Sequence, residues 1–278
     1  MMPDPQISAV TVNRNTSEYT ELLLRSFFAH HNGLDVGLTV LDNNSDDDMS
    51  SLRVYADEMG VPIYTTEWTP TTPGNNHGEN LRDFVLAHPN SKYILFLDCD
   101  VVFVQEDTVS TMVTEVEGQD GLWAVQARFT SDGVNERPQE LMNSSGQRMF
   151  QNIAFESTEQ EVAQGQPLRY KPLPAVMGDR VHPCCVLIKN SRAFQLTASL
   201  IGFSCAHFEE SGCGKAYDTL GAATQVMKTH DLSSILSEKR VVHFGSVSYK
   251  SRSKENDELC RKLLTALRQG WKGRDLFR

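Results

Sequence analysis

The chain lacks a long apolar run: none of its 278 residues falls in a stretch of the ~18 apolar residues that a membrane span needs. The N-terminal MMPDPQISAV has neither a basic n-region nor an apolar h-region, so no signal peptide is expected. Positive charge is also short. Its 26 Lys and Arg against 36 Asp and Glu leave a net charge of −10, which argues against a nucleic-acid surface built on clustered cations. The one local exception is Arg261, Lys262, Arg268, Lys272, Arg274 and Arg278, which read as a solvated helix face and tail. No C-x-x-C accompanies the six cysteines, Cys99, Cys184, Cys185, Cys205, Cys213 and Cys260. Free thiols in a reduced, cytoplasmic protein are therefore the expectation. No internal repeat is visible, and no linker is long enough to separate two independent domains.

What is present is an α/β alternation. Hydrophobic residues make up 40% of the chain, enough for one large core. ISAVTV (residues 7–12) reads as a buried strand, followed by a helix with Ser17 as its N-cap. VGLTVL (36–41) is a second strand, residues 50–59 a helix stopped by Gly60, and 61–65 a third strand. After a Pro- and Thr-rich loop comes NNHGEN, then a helix over 81–87, then the run KYILFLDCDVVFV (92–104). This order predicts a parallel sheet covered by helices, with polar clusters at the carboxyl ends of the first, second and fourth strands, where ligands bind in open α/β sheets. Further on, LWAVQA (122–127), VLI (186–188) and VVHFG (241–245) read as strands. Helices are expected over 218–228, with Asp218 as its cap, and over 255–269, with a third near 139–155 unless that polar stretch is a loop.

Asp98 and Asp100 are the central candidates. Two carboxylates at the end of a buried strand are costly unless a cation sits on them, and Mg²⁺ or Mn²⁺ with a phosphorylated ligand supplies one. An Asp-rich turn is the simpler alternative, although apolar runs on both sides suit a solvated turn poorly.

ISAVTVNRN, TVLDNNSDDD, NHGENLRD and YILFLDCD, in this order, resemble the nucleotide-binding half of GT-A fold glycosyltransferases, especially the family-2-like group. The resemblance implies a Rossmann-like, mostly parallel sheet flanked by helices in a single domain. Residues 1–121 are then the nucleotide-sugar-binding half, and 122–278 the acceptor-binding half with a C-terminal helix. It implies that Asp98-Cys99-Asp100 is a DxD motif holding Mn²⁺ or Mg²⁺ on a nucleotide diphosphate. Asp42 then contacts the base, unless it is only a turn residue capping the next helix. Asn13 or Arg14 lines the same pocket together with the LDNNSDD stretch that holds Asn44, and Asn80 and Arg82 face nucleotide or sugar. Arg82 also reads as a surface helix residue, and Gly78 either admits a ligand to the backbone or serves a turn.

VVHFGSVSY resembles the segment that brings a further metal ligand, here His243, with Ser246, Tyr249 and Lys250 beyond it; a core histidine is the plainer reading. His182 falls where related enzymes contact donor sugar or acceptor. An inverting enzyme also needs a base, for which Asp218, Glu209 and Glu210 are candidates. The partners implied are a nucleotide-diphosphate sugar and a small-molecule or glycan acceptor. A haloacid-dehalogenase-type phosphatase, with Asp98 as nucleophile and Asp100 as acid/base, is the alternative, since its motif is also an apolar strand ending in Asp-x-Asp. A non-catalytic nucleotide-sugar-binding relative is the third.

Overall fold

The computed structural model describes residues 5–31, 33–67, 73–130, 148–155, 170–177, 180–204, 206–210, 213–217, 219–245, 247 and 253–272. For 73–76, 148–155, 170–177, 206–210 and 213–217 it describes the backbone path alone. The chain begins β1 (Ile7–Asn13), α1 (Ser17–His30), β2 (Val36–Asp42), α2 (Ser50–Glu58), β3 (Ile63–Thr65), α3 (Pro73–Ala87), β4 (Tyr93–Asp98) and β5 (Val101–Phe103). It continues with α4 (Thr108–Glu117), β6 (Leu122–Thr130), β7 (Arg148–Phe155), β8 (Tyr170–Met177), β9 (Cys185–Lys189) and α5 (Arg192–Leu200). The last elements are β10 (Ala206–Glu210), β11 (Cys213–Tyr217), α6 (Gly221–Thr229), β12 (Ser233–His243) and α7 (Lys254–Arg268).

Eight strands form one sheet in the order β3-β2-β1-β4-β9-β6-β12-β5. The first four strands of the chain are parallel, as their helical crossovers require. The sheet is mixed overall, because β9 runs antiparallel to both neighbours and β5 antiparallel to β12. Side chains alternate between two cores with the period of a strand. In β4, Tyr93, Leu95 and Leu97 enter one core while Ile94 and Phe96 enter the other; in β9, Cys185 and Leu187 oppose Val186 and Ile188. Two antiparallel ribbons, β7–β8 and β10–β11, stand apart from the sheet.

One connection shapes the rest. Only Cys99 and Asp100 separate β4 from β5, yet the strands sit at the fourth and eighth places of the sheet. Three Cα steps span at most about 11 Å, so the sheet curls until its far edge returns to the end of β4. The apolar run over 92–104 is thus two strands around a two-residue turn. The edge strand β5 is bonded to β12 on one side, and on the other the Phe103 N–H donates to Ser26 Oγ of α1 at 3.0 Å.

Several boundaries differ from expectation. Ser17 is the first helical residue rather than the cap, and its N–H is taken by Asp47 Oδ2 at 2.9 Å. Residues 148–155, expected within a helix, form β7; residues 139–147 lie outside the described residues. The helix expected from Asp218 begins at Gly221, and Asp218 itself is outside the described residues. In α7, Ser253 Oγ accepts the Asn256 N–H at 3.2 Å, and Cys260, Leu263 and Leu264 bury one face. That face meets Tyr19 and Leu22 of α1, and Arg268 reaches the buried Glu21 at 2.7 Å.

Gly78 serves neither a turn nor a ligand. It lies within α3, where an added Cβ would meet Ser204 Cα at 2.5 Å and the Phe203 carbonyl carbon at 2.7 Å, both backbone atoms. Helix and loop approach that closely only because the side chain is missing. Gly78→Ala is therefore expected to destabilise the fold by about 1–3 kcal/mol despite the better helix propensity of alanine, read as a lower urea midpoint at unchanged slope.

Candidate metal and nucleotide site

The carboxyl ends of β1, β2 and β4 carry Asn13, Asp42 and Asp98, with Asn13 level with Asp42 in the strand register and Val12 level with Asp98. Asn13 is fully buried and uses both ends of its amide. Its Nδ2 donates to Asp42 Oδ1 at 2.8 Å and Ser45 Oγ at 3.0 Å, while its Oδ1 accepts from the hydroxyls of Thr16 and Thr20, each at 2.8 Å. Asp42 also accepts from Ser45, through its hydroxyl at 2.6 Å and its N–H at 3.1 Å. The loop after β2 is thereby tied to the end of β1. Arg14 lies along it, donating to the Asn43 carbonyl at 3.0 Å and to Asp46 at 3.2 Å. Asn44 is exposed, with a left-handed φ of 54°.

Asn80 of α3 donates to Asn43 Oδ1, and Thr66 donates to the same oxygen. Asn43, 4% exposed, is thus the joint between β2, the loop after β3, and α3. The sequence reading missed it; its only signal is its place directly after Asp42. Arg82 turns the other way, donating to the carbonyls of Ala198 at 3.1 Å and Ser199 at 3.5 Å near the end of α5. The expectation that it faces nucleotide or sugar is corrected, since the last carbonyls of a helix lack partners and a guanidinium supplies them. Cys99 likewise points inward. It packs with Tyr19 and Val102, and the Thr16 hydroxyl donates to its Sγ at 3.2 Å. Burial and the neighbouring Asp100 push its thiol well above the ordinary range, which suits a packed thiol rather than a ligand contact.

Asp98, Asp100 and His243 bring one donor atom each within 4.8 Å of one another. His243 ends β12 opposite Val101 of β5, and its Nε2 lies 3.2 Å from Asp100 Oδ1 and 3.5 Å from Asp98 Oδ2. The other Asp100 oxygen accepts the Gly245 N–H at 2.7 Å. Asp100 is 4% exposed, and burial alone would raise its carboxyl. His243 and the Gly245 N–H outweigh that and hold it below the usual range. For His243, burial works downward, but Asp100 and Asp98 lift the imidazole to about 10. Two carboxylates and one imidazole at this spacing suit Mn²⁺ or Mg²⁺, which favour oxygen donors and, for Mn²⁺, accept nitrogen.

Two further histidines flank Asp98. His77 Nε2 lies 3.8 Å from its Oδ1, and His182 Nδ1 lies 3.9 Å from its Oδ2. Burial, reinforced by Arg180, holds His182 well below the ordinary imidazole range, so its ring is neutral. Phe129 of β6 stands edge-on to both His182 and His243, at 5.4 and 5.3 Å between centroids. His77 was not singled out in the sequence, where it is one histidine in a polar stretch; only the seating of α3 brings it here. Asp218, Ser246, Tyr249 and Lys250 lie outside the described residues, and Glu209 and Glu210 are described only as backbone of β10. The cysteines whose side chains are described, Cys99, Cys184, Cys185 and Cys260, are buried and free.

No protein-family model and no curated protein sequence matches the chain. Among solved structures it is similar to a mannosyltransferase, PcManGT from Pyrobaculum calidifontis, in complex with GDP-Man and Mn²⁺. That likeness has a TM-score of 0.54 at 13% identity and covers 96% of this chain and 63% of that one. It is also similar to S. aureus TarS 1–349, at 0.48 and 17% over 94% and 64% of the two chains. A third likeness, to glucosyl-3-phosphoglycerate synthase from Mycobacterium tuberculosis, stands at 0.48 and 16% over 95% and 79%. The chain thus spans just under two thirds of the length of the first two. What is shared is the architecture, and the chain has the GT-A fold.

Were a divalent ion to sit on Asp98, Asp100 and His243, its binding would be proton-coupled. His243 is raised from 6.5 to about 10 by the two carboxylates. Its protonation therefore adds stability that is fully present below pH 6.5 and is lost as pH rises through about 10. A divalent ion held there would have to displace that proton, so any Mn²⁺ affinity is expected to rise by up to about tenfold per pH unit over the neutral to mildly alkaline range. Calorimetry in buffers of different ionisation enthalpy should register about one proton released per ion, and His243→Ala should abolish the release.

Proposed function

We propose that this protein is a metal-dependent glycosyltransferase that moves a sugar from a nucleotide-diphosphate donor to an acceptor hydroxyl. The observation that carries the reading is the Asp98, Asp100 and His243 cluster at the carboxyl edge of a GT-A sheet, beside the polar ends of β1 and β2. Asp98, Asp100 and His243 are the residues that would hold Mn²⁺ or Mg²⁺, which would supply Lewis-acid stabilisation of the departing diphosphate. Asn13, Arg14, Asp42, Asn44 and Asn80 form the nucleotide end of the cleft. Asn13 and Asp42 act chiefly by fixing the loop of residues 43–48 against which a base lies. Asp218, Glu209 and Glu210 remain the candidates for the base that takes the acceptor proton. Residues 1–121 serve the donor, joined by His243 from the 122–278 half, which otherwise serves the acceptor. Among the described residues no helix is long and apolar enough to cross a membrane, and buried free thiols suit a reducing, cytoplasmic setting.

The phosphatase alternative fares worse on one geometric point. It requires Asp100 to exchange a proton with a leaving group, whereas both its oxygens are engaged, one by His243 and one by the Gly245 N–H.

The test is a titration of the purified protein with UDP and GDP, with and without Mn²⁺. A nucleoside diphosphate at about 100 times its Kd should stabilise the fold by about 2.7 kcal/mol, a rise in Tm of roughly 5–10 °C, only when the metal is present. Asp100→Ala should cost at least about 100-fold in that affinity, more than loss of an outer-shell partner. Failure of both nucleotides to bind in the presence of Mn²⁺ would sink the reading.

A further inference from the structure

Two neighbouring helices, α3 and α5, share an apolar outer face. They run antiparallel, which three bonds along their length fix. Arg82 Nε donates to the Ala198 carbonyl at 3.1 Å, Gln195 Nε2 to the Val85 carbonyl at 3.3 Å, and Asn190 Nδ2 to the His88 carbonyl at 3.0 Å. Phe84, Val85, Phe194 and Ala198 turn inward to the core. The outer sides carry Leu86, Leu196, Leu200 and, just past α5, Ile201. These are half of the eight large hydrophobic residues exposed among the described residues. Leu196 and Leu200 stand one turn apart in a single stripe, and Leu200 is 77% exposed. Exposed leucines scattered singly need no explanation, but four gathered on one face mark an interaction surface.

The charges at the two ends of this face differ in sign. Toward the start of α3, Glu79 and Asp83 share one cation, Arg82, at 3.4 and 3.8 Å. At the other end stands Arg192, the first residue of α5, exposed and without an ion-pair partner among the described residues. A cation in the first turn of a helix gains nothing from the helix dipole, so α5 itself offers it no counter-charge. Opposite signs at opposite ends make the face complementary to itself turned end for end. An antiparallel pair of α5 helices centred between Leu196 and Leu200 sets Leu196 against the second copy's Leu200. The same pairing sets Arg192 opposite the second copy's Ser204, and Ser204 Oγ donates to Glu79 Oε1 at 2.8 Å. Each contact then occurs twice, as two-fold symmetry requires.

We propose that the outer face of α3 and α5 is an interface between two copies of this chain. Leu196 and Leu200 pack across a two-fold axis, and Arg192 pairs with Glu79 of the other copy. Two helices of this length present a face of about 20 Å by 20 Å. Two such faces bury about 800–1,000 Å², near the lower limit of specific interfaces, so the dimer is weak and reversible. The interface lies behind the cleft: α3, which it braces, also carries His77 beside Asp98 and Asn80 on Asn43. The inference does not depend on the glycosyltransferase reading.

Sedimentation velocity of the full chain from about 1 to about 200 µM is the test, since a small interface places Kd on the order of 10–100 µM. The parent should show a reversible monomer–dimer equilibrium. Leu200→Glu should stay monomeric throughout and keep the urea midpoint of the parent monomer, because that side chain lies in solvent there. Arg192→Glu and Glu79→Arg should each weaken the dimer at least about tenfold. An equimolar mixture of the two should recover it, because every like-charged pair then becomes an opposite one. A parent that is monomeric at the highest concentration, a dimer that survives Leu200→Glu, or a mixture that stays monomeric would each overturn the proposal. So would a monomeric parent that floats with phosphatidylcholine vesicles while Leu200→Glu does not, since a lipid surface is then what covers the face.

Discussion

The contact between Asp100 and His243 is the constraint on which the site depends. The two residues lie 143 apart in the sequence, and they meet because Asp100 belongs to the short turn that leaves β4 for β5 while His243 ends the strand that pairs with β5. The curl of the sheet is therefore written into the site. Any change that let β5 drift from β12 would separate the imidazole from both carboxylates. The charges oppose one another without a proton or a cation between them: two carboxylates face the same nitrogen, one of them almost fully buried. Such a cluster holds together only while something positive occupies it. The three donors are thus a structural element of the curled sheet as well as a candidate metal site.

The first 100 residues were the most legible because each buried strand there is a separate apolar run ending in a polar cluster. Strand alternation and the carboxyl-edge rule together were enough to put Asn13, Asp42 and Asp98 on one rim. Legibility failed where hydrophobicity carries no punctuation. The run over 92–104 hides a turn because both strands around it are equally apolar. It failed again in α4, whose sequence TVSTMVTEVE is rich in β-branched residues and poor in helix propensity. That helix is held by burial of Val109, Met112 and Val116 on one face, a tertiary effect that outweighs local preference. The start of α3 reads as loop because the helix opens on Pro73 and Gly74, although proline is well suited to the first turn of a helix.

Among side chains, those whose role follows from their own strand end could be read, and those whose role depends on a neighbour could not. Arg82 sits in the stretch that carried the resemblance, yet its guanidinium completes the end of α5. Asn43 and His77 work through contacts with residues 37 and 21 positions away. Gly78 belongs to the same group, since the atoms it makes room for come from residues 203 and 204. Each of these depends on how α3 seats against the loop after α5, which local sequence does not encode.

The bond from the Phe103 N–H to Ser26 has a consequence for self-association. A terminal strand ordinarily offers a row of open amide groups on which another polypeptide can pair, and β5 is the terminal strand of this sheet. Here α1 lies along that margin and its Ser26 hydroxyl occupies the amide of Phe103, the last residue of the strand. The helix beside the β1 end of the cleft thus also blocks the β5 rim, and the sheet cannot lengthen across it into a second molecule.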